Sequence, residues 1–177
     1  MTAQTPESPV DLIVASYNDE QGASNALKDL KAAQEGWTVN LKDAAVLKRD
    51  SNNKLNITES ADKGFGRGAM IGGVAGAAVG VIAGPIGWAT LGGAAVGGLA
   101  VKLRDGGFRD ERLRTIGESV QSGHSALVVV VEDASVKNAE HILEEKAAEI
   151  VTNQVAADVA MQLDAEAARS QQNSTTT

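Results

Sequence analysis

The chain has no cysteine among its 177 residues, which excludes disulfides, a thiol nucleophile and thiolate metal ligation. Aromatic residues are scarce at 3%. They are Tyr17, Trp37, Phe65, Trp88 and Phe108, so a core has to be built from Val, Leu, Ile and Ala. Basic residues are also short, 16 Lys and Arg against 23 Asp and Glu, for a net charge of −7. That balance argues against a general nucleic-acid binder, which presents a basic face. A hydrophobic share of 43% nevertheless separates the chain from acidic disordered sequences. Its length suits one domain, or one domain with an elaboration, with a real core. MTAQTPESPVDL at the N-terminus has neither a basic n-region nor an apolar h-region and does not read as a signal peptide. A cytoplasmic setting is the simplest expectation.

What is present divides into ordinary and unusual stretches. VDLIVASYN (10–18) is apolar and rich in β-branched residues, and predicts a buried strand. Asp19 is placed to cap a following helix, with Ala23, Ala26, Leu27, Leu30 and Ala33 as its apolar stripe and Gly36 as its C-cap. VNLKDAAVLKRD and KLNITES, joined by SNN, read as a β-hairpin. FRDERLRTIGESV reads as a short helix with Leu113, Ile116 and Val120 on one face. SALVVVVED (125–133) is apolar without alternation, the mark of a central strand buried on both sides. Residues 135–170 carry an amphipathic pattern and predict a long C-terminal helix, broken near Asn153, before a polar tail expected to fray.

Residues 64–107 break this pattern. They hold 15 of the 19 glycines, and no charged residue occurs from Ala69 to Val101. Gly68, Gly72, Gly76, Gly80 and Gly84 fall on every fourth position. Glycine costs about 1 kcal/mol against alanine inside a helix, so such a stripe needs a packing reason. Pro85 in GPIG reads as a turn that divides two helical arms, Gly68 to Ala83 and Trp88 to Leu103, each about 24 Å long. The second arm repeats the stripe loosely with Ala89, Gly93 and Gly97. Small residues at this spacing let helices approach closely, as they do in lipid. Lys63 and Arg67 precede the first arm, while Lys102, Arg104, Arg109, Arg112 and Arg114 follow the second. Basic ends suit a hairpin with both ends at the cytoplasmic surface of a membrane. Each arm is shorter than the about 20 residues a spanning helix needs, so a water-soluble assembly packed through the same stripe is the alternative.

With residues 64–107 set aside, the element order is β-α-β-β-α-β and a helix, the ferredoxin-like order. The expected layout is α+β: a flexible N-terminus at 1–9, a ferredoxin-like domain from 10–63 and 108–152, an inserted glycine-zipper hairpin at 64–107, and a helical extension with a disordered tail at 153–177. The segments VDLIVASYNDEQGASNALKDLKA, KDAAVLKRDSNNKLNITES and LRTIGESVQSGHSALVVVVEDASVKNAEHIL, with the Gly/Ala hairpin between them, carry a resemblance. Over residues 10–152 the chain resembles a bacterial domain-of-unknown-function family described as predicted membrane proteins, some of them stress-induced. The resemblance implies a small α+β domain bearing a Gly/Ala-rich hairpin, a membrane setting and a stress link, and brings no catalytic motif.

Catalytic and cofactor chemistry is not expected. GFGRGA (64–69) has glycines before a helix, but the spacing is G-x-G-x-G with no acidic residue ending a following strand, so a flexible hinge is the better reading. His124 lies among Ser119, Ser122 and Ser125 without a nucleophile elbow. His141 sits beside Glu140, Glu144 and Glu145 on what reads as a solvated face. No metal or cofactor is expected. The residues expected to matter are Gly68, Gly72, Gly76, Gly80, Gly84, Gly93 and Gly97 for self-association, and Lys63, Arg67, Trp88, Lys102 and Arg104 for contact with a membrane surface. The partners expected are further copies of the chain and membrane lipid, not nucleic acid. The function expected is non-enzymatic self-assembly, with a soluble oligomer binding a small ligand or protein partner as the alternative.

Overall fold

The computed structural model describes residues 9–59, 73–88 and 110–174. They form a mixed α+β domain with one five-stranded antiparallel sheet and five α-helices. The elements are β1 (Val10–Tyr17), α1 (Gly22–Glu35), β2 (Leu41–Arg49), β3 (Leu55–Glu59), α2 (Gly73–Trp88), α3 (Asp110–Ser119), β4 (Ser125–Glu132), a short 3-10 turn (Asp133–Ser135), α4 (Val136–Glu144), β5 (Glu149–Val155) and α5 (Ala157–Ser174).

The strand order is β3-β2-β4-β1-β5. As its unbroken apolar run predicts, β4 is central, with β1 and β2 as antiparallel neighbours. Strands β1 and β2 therefore run parallel to each other with β4 between them, joined through α1. Strands β4 and β5 run parallel with β1 between them, joined through α4. The β2–β3 hairpin forms as expected, in the register Arg49↔Leu55, but β3 lies at the outer edge and takes no part in the centre.

Two expectations about the C-terminal third are corrected. Residues 135–170 are not one helix: helix α4 stops at Glu144, and Glu149–Val155 is a strand paired along β1, so a boundary at 152 cuts through β5. The charged turn Glu144-Glu145-Lys146 ends the helical stripe, and the β-branched Ile150, Val151, Thr152 and Val155 suit an edge that β1 would otherwise leave open. The C-terminal segment is also more regular than its polar composition suggests, with α5 continuing to Ser174.

Pro85 does not end the first arm, because α2 continues through it to Trp88. The residue before a proline is normally pushed out of helical backbone by a clash with its own Cβ, and Gly84 has none. No helix among the described residues is long and apolar enough to cross a membrane.

Each sheet face has its own core. One is covered by α1 and α4 and contains Ile13, Tyr17, Leu27, Leu30, Leu127, Val129 and Leu143. The other is covered by α2, α3 and α5 and contains Leu12, Leu47, Val74, Val79, Leu113, Ile116, Val128 and Leu163. Strand alternation sends neighbouring β1 residues to opposite cores, Leu12 and Val14 to one, Ile13 and Ala15 to the other.

Candidate functional site

The glycine-rich helix is the feature that sets this domain apart. A helix apolar on every side must be buried on every side. Helix α2 carries no charge, and it packs on the sheet between α3 and α5. Val74, Ala75, Ala77, Ala78 and Val79 are buried, as are Ile82 and Ala83. Among the glycines expected to form the association stripe, Gly80 is buried and Gly76 half-buried. Gly84 and Trp88 lie within the helix backbone. Gly68, Gly72, Gly93 and Gly97 lie outside the described residues, as do Lys63, Arg67, Lys102 and Arg104. So does the GFGRGA segment and the second arm.

Two close helix approaches are made at glycines off the expected grid, Gly73 and Gly117. A Cβ on Gly73 would stand 2.1 Å from the backbone carbonyl carbon of Leu163, so the N-terminus of α2 lies against the α5 main chain. The Gly73 N–H donates to Asp164 Oδ1 at 2.8 Å. A carboxylate there satisfies one of the donors left open at a helix start and meets the positive end of its dipole. On the other flank, a Cβ on Gly117 would stand 2.4 Å from the Ile82 carbonyl oxygen, bringing α3 onto α2. Helix α3 turns Leu113 and Ile116 inward and leaves Arg112 and Arg114 exposed.

The opposite layer is held by side chains. Buried Ser125 donates its hydroxyl to the Asp19 carbonyl at 2.7 Å and accepts the Ala23 N–H at 3.1 Å, anchoring the start of α1 across 102 residues of sequence. Asp19 itself accepts from the Gln21 N–H, so it shapes the turn and does not cap the helix. Gly36 is the C-cap, but the left-handed residue is Trp37, with φ 61° and 95% of its surface exposed. Its N–H donates to the Gln34 carbonyl and the next N–H, of Thr38, donates to that of Ala33. Sequence reasoning passed over Trp37, although a tryptophan after a C-cap glycine is the available signal.

His124 Nδ1 lies 3.1 Å from the Ser119 carbonyl, which can only accept, so this nitrogen carries the proton. His141 is exposed on α4. No group of three or more His, Cys, Asp or Glu among the described residues is placed to hold a metal ion. Tyr17 is buried with its hydroxyl unpaired, and burial first, then Asp29 and Asp19, pushes its ionisation well above the ordinary phenol value.

Fold and packing together define the class, an α+β domain that buries a charge-free, glycine-rich helix against one face of its sheet. Residues 69–168, more than half the chain, match the family described as protein of unknown function, DUF1269, and the chain belongs to that family. The matched region runs from the glycine-rich segment through α2, α3, β4, α4 and β5 into α5. It therefore takes in residues beyond Asn153 that had read as an extension. No curated protein and no solved structure matches the chain.

Proposed function

We propose that this protein is a non-enzymatic association module that self-assembles through its Gly/Ala-rich segment, residues 64–107, at the cytoplasmic face of a membrane, with a role in stress. The observation that carries the reading is α2, a helix of 16 residues that is apolar around its circumference and free of charge. Such a surface is stable only against other apolar surface, whether its own domain, another copy or lipid. In this reading the scaffold is ferredoxin-like, with β1-α1-β2 and β4-α4-β5 as its interleaved crossovers and the hairpin inserted between β3 and β4.

A second reading is a soluble homo-oligomer with the hairpin as subunit interface; the burial of α2 under α3 and α5 of its own chain supports its solubility, since no lipid is needed to cover that helix. Centrifugation of a detergent-free lysate, with salt and carbonate washes of the pellet and light scattering of the supernatant, separates the two. Retention in the washed pellet is the outcome expected of membrane insertion. A discrete soluble oligomer supports the second reading, and a soluble monomer overturns self-assembly. Gly76→Leu is expected to lower the assembled mass, because a bulky side chain blocks close approach there.

A further inference from the structure

Three acidic residues from three elements lie around the start of β1, without the close spacing that a bound cation needs. Asp11 sits on β1, opposite Val131 of β4 and Gln154 of β5, on the α1 and α4 side of the sheet. Asp133 comes from the 3-10 turn and Glu140 from α4. Edge strand β5 supplies a donor to each of the last two. Gln154 Nε2 donates to Asp133 Oδ1 at 2.8 Å, and Thr152 Oγ1 donates to Glu140 Oε1. Asp11 receives nothing comparable. It is 5% exposed, and its Oδ2 is buried with no hydrogen-bond partner.

An ionised carboxylate can only accept, so two of them facing each other leave both unsatisfied. One proton changes this, turning one oxygen into a donor toward the other. Since Asp133 and Glu140 already hold donors, the proton belongs on Asp11. We propose that Asp11, Asp133 and Glu140 form a proton-binding clasp, in which protonated Asp11 donates to Asp133 and fastens edge strand β5, and which loosens as pH rises.

The electrostatics agree in direction. Burial raises the Asp11 carboxyl above its ordinary value, and the charges of Asp133 and Glu140 push the same way. Of the basic groups at this end of the sheet, Lys42 pairs with Glu132, and Lys137 is exposed on α4. Strands β4 and β5 face Asp11 with the neutral Val131 and Gln154. A carboxyl raised in the folded state favours folding fully below its unfolded value, 3.8, and that contribution is lost as pH rises through the folded value. The consequence reaches α2, because β5 leads directly into α5, whose Leu163 backbone and Asp164 carboxylate lie on Gly73.

The test is amide hydrogen exchange of β5 and α5 from mildly acidic to mildly alkaline pH, corrected for intrinsic rates, in the wild type and Asp11→Asn. The asparagine carries the donor permanently. Wild-type β5 protection is expected to fall several-fold as pH rises, while Asp11→Asn keeps its protection and melts higher than the wild type at neutral pH. A variant that follows the wild-type pH course overturns the clasp. A carboxyl carbon titration of wild-type Asp11 tests it without substitution, and a midpoint in the ordinary carboxylate range also overturns it. If magnesium or calcium protects β5 at neutral pH in the wild type alone, the cluster is a cation site and the proton reading is wrong.

Discussion

The helices approach the two faces of the sheet differently. Against α1 and α4, the sheet is filled by large side chains, Tyr17, Leu30, Leu127 and Leu143 among them. Against α2, α3 and α5, two approaches are main chain to main chain, made possible where Gly73 and Gly117 present no side chain. Both faces bury large side chains, Leu12, Leu47, Leu113, Ile116 and Leu163 on the second, which adds these two main-chain contacts. Removing atoms should therefore damage either face, while adding them at Gly73 or Gly117 damages the second.

The largest expected effect is on the side-chain face. Leu30 is fully buried in α1, and Leu30→Ala is expected to cost about 2–5 kcal/mol in a denaturant titration, since the removed atoms leave a cavity. A loss under about 1 kcal/mol would mean that this face repacks freely and the contrast is wrong. Ser125→Ala comes next. It leaves the Asp19 carbonyl and the Ala23 N–H without partners in a buried site, at a cost of about 1–3 kcal/mol, and α1 should show faster amide exchange at its first turn.

Gly117→Ala probes the other face. Alanine is the better helix former by about 1 kcal/mol, so an open site would gain stability. Here the added methyl meets the Ile82 carbonyl oxygen at 2.4 Å, and overpacking at about 1–3 kcal/mol should win. A higher melting temperature for this variant would show that α3 does not lie on α2. The smallest effect lies outside both faces. Asp50 accepts the N–H of Lys54, which, with the Asn56 side chain and the Asn52 N–H, holds its carboxyl below the ordinary range. Its contribution is present above the unfolded value of 3.8 and lost as pH falls through the folded one, opposite in sign to Asp11. Asp50→Asn should flatten the acid limb of a stability–pH profile, and an unchanged limb would count against the turn's role.

Elements whose periodicity answers to one partner were legible. The β1 run, the α1 stripe, the hairpin and the fully apolar β4 each announce their burial locally. Strand β5 was not, because EIVTNQV reads as a continuation of the helical stripe until the free edge of β1 is known to need a partner. The spacing of Gly76 and Gly80 marked the glycine-rich helix, but the close approaches at Gly73 and Gly117 lie off that spacing and show only once α5 and α3 are folded beside it. Asp11 gave no signal either. A lone acid in an apolar strand shows its neighbours only when residues 133 and 140 fold beside it.

Strand order also has a consequence in time. Val10 pairs with Glu132 on one side and Val155 on the other, so β1 has no neighbour until most of the chain exists. Pairings this distant in sequence fold slowly. At about 5–20 residues per second, synthesis delivers α2 seconds before the strands that complete the sheet beneath it. Through that interval the nascent chain carries an uncovered, charge-free helix. Whatever first meets it, a chaperone, a bilayer or a neighbouring nascent copy, competes with the protein's own unfinished sheet.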